Sequence, residues 1–287
     1  MKKLLFIFIL SCINTSCQNL DNFSVIKDLP DLVSETSGIE TLSTTDGFWT
    51  INDSGNSNEI FLISDKGKLK QIIKVTNAKN KDWEALASDG NSMLYIGDFG
   101  NNGNLRRDLT IYAVNVDSIK NNKVKAYETT FVYEDQMKFP PKKKDRNFDS
   151  EAFIYFNNYF YIFSKNRSSK FDGTTKLYKL PAKAGKQTAR LISEFKVCQN
   201  IKNCQITGAD ISNDGKRLAL LTHDKIFMFS DYSNDLFFEG NHKKIKLDHH
   251  TQKEAICFSK GTLFITDEQR KVTGGNMYKV RKKLLNN

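Results

Sequence analysis

Three glutamates recur at the start of similar short apolar segments, and they are the residues of this sequence best suited to chemistry. The segments are Glu84-Ala85-Leu86, Glu151-Ala152-Phe153 and Glu254-Ala255-Ile256. Carboxylates that lie together can coordinate a hard cation such as calcium. A carboxyl whose pKa is raised by burial or by a like charge can instead act as a general acid or base. The pattern therefore predicts an acidic site wherever the fold brings the three together.

Two more segments, headed by Ser37 and Thr207, extend the repeat. The five heads stand at positions 37, 84, 151, 207 and 254, a period of about 50 residues. Each is followed by a second apolar segment that ends in polar residues, and Gly, Asn and Asp mark the turns. This pattern predicts an all-β fold, a β-propeller of four-stranded blades. Five blades are favoured, and six are possible if the insert over residues 117–147 contains another blade.

The last repeat lacks a fourth strand, and the first strand-like segment belongs to no repeat. Residues 23–29 alternate apolar and polar side chains in the manner of a strand. We predict that this N-terminal strand completes the last blade, because such pairing protects an open sheet edge. Residues 23–287 would then form a single propeller domain.

The inner strands of a propeller run along a central channel, so the heads of the repeats converge on one face. The residues predicted to line the channel ring, or to bind a ligand there, are Glu35, Asp82, Glu84, Asp98, Asp149, Glu151, His223, Glu254 and Asp267. A calcium ion held by Glu84, Glu151 and Glu254 would offset their repulsion. Three alternatives stay open: neutralisation by Lys165 or Arg167, hydrogen bonds from the head residues to the neighbouring blade, and a catalytic carboxyl.

Two functions are compatible with this acidic face. The favoured one is a binding module for an unknown small molecule or protein, and the alternative is a calcium-dependent hydrolase of an ester, lactone or phosphate. The sequence contains no GxSxG, P-loop or HExxH motif, so no catalytic residue is assigned. The net charge of +10 comes largely from scattered lysines, which predicts a solvated basic surface rather than a nucleic-acid-binding surface. We also expect the protein to be a monomer.

The N-terminus resembles a bacterial lipoprotein signal. A charged start, Met1-Lys2-Lys3, precedes an apolar stretch, and a cysteine follows at Cys17. We predict a signal peptide over residues 1–17, lipidation of Cys17 and a tether over residues 18–22, with Cys12 as the alternative lipid site and a cleaved, non-lipidated signal as another. The protein would be exported and anchored in the cell envelope, with the outer membrane the favoured location.

Export would allow disulfides to persist. Cys198 and Cys204 flank a short loop and can form one, although the sequence does not decide whether they do. Cys257 lies in an apolar segment and is predicted to be a buried thiol.

Several motifs together resemble a known group of proteins. They are Trp49-Thr50-Ile51-Asn52-Asp53-Ser54-Gly55, Asp82-Trp83-Glu84 and Tyr95-Ile96-Gly97-Asp98-Phe99-Gly100-Asn101-Asn102. Over residues 30–280 or so the chain resembles a group of uncharacterised Bacteroidetes propeller lipoproteins and, more remotely, the SdiA-regulated and phytase-like-esterase propellers. Distant relatives of the gluconolactonase and paraoxonase type hold calcium in the channel and hydrolyse esters or lactones. The resemblance therefore implies a propeller in the envelope, with calcium as its cofactor.

Lipidation can be tested by metabolic labelling with a fatty-acid analogue. We expect the wild-type protein to incorporate the label and the Cys17→Ser/Cys12→Ser double variant to lose it, because the thioether requires a cysteine thiol. Label that persists in the double variant, or that never appears in the wild type, would contradict the prediction.

Overall fold

The computed structural model describes residues 22–285 of the chain. The predicted signal peptide, Cys12, Cys17 and all but the last residue of the tether lie outside the described residues. The fold is all-β, as predicted, and its only α-helix among the described residues is a single turn, α1 (Ile201–Cys204).

The strands follow one another along the chain in groups of four. The first strand is β1 (Phe23–Asp28). The next group is β2 (Thr36–Glu40), β3 (Phe48–Asn52), β4 (Glu59–Ile63) and β5 (Leu69–Val75). The second group is β6 (Trp83–Ser88), β7 (Met93–Asp98), β8 (Leu109–Asn115) and β10 (Tyr127–Tyr133), with the two-residue β9 (Lys123–Val124) before β10.

The remaining groups complete the chain. The third is β11 (Asp149–Phe156), β12 (Tyr159–Lys165), β13 (Thr174–Pro181) and β14 (Gly185–Lys196). The fourth is β15 (Gly208–Ile211), β16 (Arg217–Thr222), β17 (Lys225–Ser230) and β18 (Asn241–Lys246). The last is β19 (Lys253–Ser259), β20 (Thr262–Asp267) and β21 (Asn276–Val280). Short 3₁₀ turns cover Asp31–Val33, Val116–Ser118, Lys143–Asp145, Phe237–Glu239 and Lys282–Leu284.

Each group forms an antiparallel blade, and the first strand of each blade faces the channel. These inner strands, β2, β6, β11, β15 and β19, contact one another in that order, and β19 returns to β2. The ring is therefore closed. A separate apolar cluster fills each space between neighbouring blades in the described residues.

The N-terminal strand closes the last blade, as the sequence predicted. β1 pairs antiparallel with β21, so that Phe23 lies opposite Val280. Phe23 is completely buried, and its ring contacts Tyr278 edge-on at a centroid distance of 5.1 Å.

The insert over residues 117–147 extends two existing blades. β9 pairs with the outer strand β5, and β10 is the outer strand of the second blade. β10 also pairs in parallel with β14, which joins the outer edges of the second and third blades into one continuous sheet.

The inner strands carry a small residue immediately after each head, because they approach one another closely. A Cβ atom at Gly38 would lie 2.6 Å from the backbone nitrogen of Leu86, and one at Gly208 would lie 3.1 Å from the carbonyl oxygen of Glu254. Alanine stands at the equivalent position in the other three repeats.

Cys198 and Cys204 form a disulfide across α1, with their Cα atoms 5.3 Å apart, and Cys257 is a buried free thiol. Among the described helices none has the length and apolar character needed to cross a membrane.

Ring closure makes Phe23 a sensitive position. We expect Phe23→Ala to lower the free energy of unfolding by about 3–5 kcal/mol, because it removes a fully buried aromatic side chain from the last blade. Val25, on the same strand, is 47% exposed and supplies the control: Val25→Ala should cost less than about 1 kcal/mol. Chemical denaturation monitored by intrinsic fluorescence measures both. Equal stability of the two variants would contradict the closure.

Candidate functional site

A β-bulge lies at the head of most inner strands. The pairing register shifts between Thr36 and Gly38, between Trp83 and Ala85, between Ser150 and Ala152, and between Lys253 and Ala255. The residues inside these bulges are Ser37, Glu84, Glu151 and Glu254. A bulged residue is released from the ladder and its side chain is re-aimed. The repeat therefore places four of its five head residues at one end of the channel by a local distortion of the inner strand.

The two hydroxyl heads join neighbouring blades. Ser37 Oγ donates a hydrogen bond to the carbonyl oxygen of Trp83 at 2.8 Å, and Thr207 Oγ1 donates to the carbonyl oxygen of Lys253 at 2.7 Å. The sequence left blade-to-blade hydrogen bonding open as a role for every head residue. The two hydroxyl heads, Ser37 and Thr207, have this role.

The glutamate heads surround a buried lysine. Lys165, at the end of β12, forms an ion pair with Glu151 and is 6% exposed. Burial alone would lower the pKa of Lys165, but the nearby carboxylates of Glu151 and Glu254 outweigh it and raise that pKa. The Lys165 charge also acts on Glu84. The Lys165 ammonium therefore acts electrostatically on all three glutamates, and it forms its ion pair with Glu151.

Arg167 adds a second positive charge at the end of the channel where the head residues lie, which we call the channel mouth. Its Nε donates to Asp149 Oδ2 at 2.6 Å, and its Nη2 donates to Glu151 Oε1 at 3.2 Å. The Asp149 carboxylate is completely buried and also accepts the backbone N–H of Asn101 at 2.7 Å. Asp149 and Glu151 are thus neutralised within the protein.

A second acidic group lies beside them, and its members form no ion pair among the described residues. Carboxylate oxygens of Asp53, Asp82 and Glu84 lie within 4.8 Å of one another. Gly100 packs directly against them, since a Cβ at that position would collide with the carboxylates of Asp82 and Glu84. Burial and then the charge of Asp53 raise the pKa of Asp82 to about 6. Burial and then the charge of Glu151 raise the pKa of Glu84 well above its usual value.

This group differs from the predicted metal set of Glu84, Glu151 and Glu254 and shares only Glu84 with it. Glu151 of the predicted set is ion-paired with Lys165 and Arg167, whereas the carboxylate oxygens of Asp53, Asp82 and Glu84 lie within 4.8 Å of one another. The predicted set stays a prediction.

Glu254 interacts electrostatically with Glu268, the residue that follows β20. Burial and then the charges of Asp53 and other carboxylates raise the pKa of Glu268 to about 7, and Gln252 Nε2 donates to its Oε2 at 2.5 Å. Burial and then Glu151 raise the pKa of Glu254.

The remaining predicted residues support the mouth or lie at its rim. Asp98 accepts Arg106 Nη2 at 2.9 Å and the backbone N–H of Asp82 at 3.1 Å, which fixes the loop after β7. Asp267 is completely buried and accepts the Tyr278 hydroxyl at 2.7 Å, so it stabilises the last blade.

Two predicted residues sit further out. Glu35 is exposed and accepts Asn56 Nδ2 at 2.5 Å. His223 lies beside His250, with ring centroids 5.6 Å apart, and burial followed by the charge of Lys165 lowers its pKa to about 4. His223 is therefore neutral at physiological pH.

Sequence reasoning missed a carboxyl pair on the inner strands of two non-adjacent blades. Glu40 ends β2 and Asp210 lies on β15, and both line a cavity of about 400 Å³. Burial raises the pKa of Asp210 to about 7, and burial followed by the charge of Asp210 raises the pKa of Glu40. An acidic residue inside an apolar inner strand was the signal available for both.

Comparisons with known proteins support the fold alone. No family model matches the sequence, and no curated protein matches it. Among solved structures, the chain is similar to the PQQ-bound aldose sugar dehydrogenase of Streptomyces coelicolor, with a TM-score of 0.52, 7% identity, and coverage of 91% of this chain and 98% of that one.

Two weaker similarities are to eukaryotic domains. The β-propeller domain of Myceliophteria thermophila Cps50 (Swd1) gives a TM-score of 0.47 at 9% identity, covering 90% of this chain and all of that one (100%). The WD40 domain of Neurospora crassa Pan2 gives 0.44 at 10% identity, covering 90% and 95%.

The raised pKa of Asp82 predicts a pH-dependent stability. Its folded-state value of about 6 exceeds the usual 3.8, so the folded protein binds this proton more tightly and the associated stability is lost as pH rises from about 4 to 6. Asp82→Asn removes that dependence. In chelator, the variant should gain on the order of 1–3 kcal/mol of stability relative to wild type across this window.

Urea denaturation at several pH values measures the difference. Asp46→Asn is the control, because the Asp46 side chain is 90% exposed. A constant difference between wild type and Asp82→Asn from pH 4 to 6 would contradict the expected electrostatics.

Proposed function

We propose that the acidic channel mouth binds a hard divalent cation, calcium in preference, and that the bound cation helps to hold a ligand or partner there. One observation carries the proposal. Among the described residues, none of Asp53, Asp82 and Glu84 forms an ion pair, although their carboxylates lie within 4.8 Å of one another. Like charges at such distances repel strongly in a partly buried site, so a cation would stabilise them.

The other half of the mouth supplies a contrast. Asp149 and Glu151 have Lys165 and Arg167 as partners, so they need no external cation. One group of carboxylates is thus ion-paired within the protein, and the adjacent group is not. This asymmetry favours Asp53, Asp82 and Glu84 over the ring of glutamates as cation ligands.

The expected affinity is modest. Three carboxylates with no preformed cage resemble weak calcium sites of extracellular modules, whose dissociation constants fall on the order of 10⁻⁴–10⁻³ M. Such a site suits an exported protein, and we include lipid anchoring in the envelope through Cys17 in the proposal. That part rests on the signal-like N-terminal sequence.

The alternative of a calcium-dependent hydrolase has one observation in its favour. The pKa values of Asp82 and Glu268, about 6 and about 7, would suit general bases near neutral pH. Hydrolysis would also require an open coordination position on the cation for the substrate or water.

Calcium titration of the mature protein after chelator treatment tests the proposal. We expect the stability to rise by about 2.7 kcal/mol when free calcium reaches 100 times the dissociation constant. Glu84→Gln should abolish the response, because it removes one ligand oxygen's charge.

Glu254→Gln provides the matched control and should keep the calcium response, since Glu254 is not in the close group. Retention of the response in Glu84→Gln, or its loss in both variants, would contradict the assigned site. A screen with nitrophenyl esters and nitrophenyl phosphate, with and without calcium, decides between the two functions. Calcium-dependent turnover that Glu84→Gln abolishes would favour the hydrolase.

A further inference from the structure

A groove of about 1020 Å³ runs along the outer strands where the second and third blades join. We call it the outer groove. Its floor is formed by β10, β13 and β14. β14 pairs with β13 on one side and with β10 on the other. β10 pairs with residues 185–189 of β14 and β13 pairs with residues 190–196, so each half of β14 is paired along one edge. Side chains from all three strands line the groove.

The charged residues that line the outer groove are all cationic. They are Arg107, Lys179, Lys186 and Arg190, and no acidic residue lines the groove. Lys179 forms an ion pair with Asp235. Within the described part of the chain, Arg107, Lys186 and Arg190 form no ion pair. The nearby Glu134 carboxylate accepts the backbone N–H of Leu191 at 2.8 Å.

Exposed apolar side chains lie among these cations. Val132 is 42% exposed, Ile192 is 41% exposed and Tyr159 is 37% exposed, and all three line the outer groove. The strand alternation explains the arrangement. Lys186 and Arg190 are separated by an even number of positions along β14, and Val132 lies opposite Thr188 in the β10 register. Ile192 lies at a β-bulge, where the β13 register shifts between Leu191 and Ser193.

We infer that the outer groove docks an extended, acidic polypeptide segment that alternates carboxylates with apolar side chains. Charge complementarity requires an anionic occupant, and the neighbouring apolar residues require one that also offers apolar surface. An extended segment presents side chains with the same period of two as the strands of the floor.

Other anionic occupants fit the surface less well. A bilayer is flat or gently curved and would not enter a concave groove. Single-stranded nucleic acid needs several free aromatic faces for stacking. Tyr159 is the exposed aromatic residue of the groove, and the Lys179 ammonium lies over its ring at 4.2 Å.

Fluorescence anisotropy on the mature protein tests this inference. The probe is a short fluorescein-labelled peptide of alternating Glu and Val residues, and its control carries Gln in place of every Glu. We expect the acidic peptide to bind, its affinity to fall as salt is raised, and the Gln peptide to bind at least about 10-fold more weakly.

Two variants locate the binding. Lys186→Glu/Arg190→Glu should weaken binding by at least about 10-fold. Lys142→Glu/Lys143→Glu makes the same change of net charge at exposed loop residues outside the outer groove and should leave affinity unchanged. Ile192→Ser should weaken binding several-fold, because it replaces an exposed apolar side chain of the groove with a polar one.

Three results would overturn the inference. Equal losses in the two charge-reversal variants, or unchanged affinity in Ile192→Ser, would show non-specific attraction to a basic protein. Failure of the peptide to bind, together with sedimentation of the protein on phosphatidylglycerol vesicles or binding of an oligothymidine, would assign the groove to another class of partner. Peptide binding should be the same with calcium and with chelator, because the outer groove does not include the residues of the channel mouth. This keeps the test separate from that of the proposed function.

Discussion

The close approach of the inner strands around the channel is the constraint on which the site depends. Gly38 and Gly208 admit their neighbours' backbones where a side chain would collide, and alanine occupies the equivalent places elsewhere. Four of the five inner strands bulge at their heads, and the bulges re-aim the head residues at one end of the channel. The repeat and the site are therefore consequences of one packing requirement.

Crowding of carboxylates has to be offset, and the protein uses two different solutions. Lys165 is buried among glutamates and Arg167 bridges Asp149 and Glu151, which places complementary charges in a region of low dielectric. Beside them, Asp53, Asp82 and Glu84 have no such partner among the described residues, and their proton affinity rises instead. Burial and like charges raise the pKa values of these carboxyls, and a bound cation would offset the same repulsion that a proton does.

The sequence predicted the propeller and its closure well, because both follow from local signals: strand patterns at a fixed period and one unassigned strand. The site was predicted less completely. Equivalent positions in the repeat indicated Glu84, Glu151 and Glu254, but they could not show that Lys165, within the described chain, forms an ion pair with Glu151 and not with the other two. Asp53 follows β3 and Asp82 precedes β6, and their approach depends on the angle between two blades, which no local pattern encodes.

Closure of the ring by β1 also sets the order in which the chain can fold. Phe23 and Val280 stand near opposite ends of the described chain, so the first strand has no partner until nearly the whole polypeptide is available. Contacts of such long sequence separation form slowly, since the entropy of closing the loop must be overcome first. During synthesis the middle blades can form early, while the last blade still lacks its closing strand pair. A nascent chain of this protein is therefore most exposed to edge-to-edge aggregation just before its final strand is released.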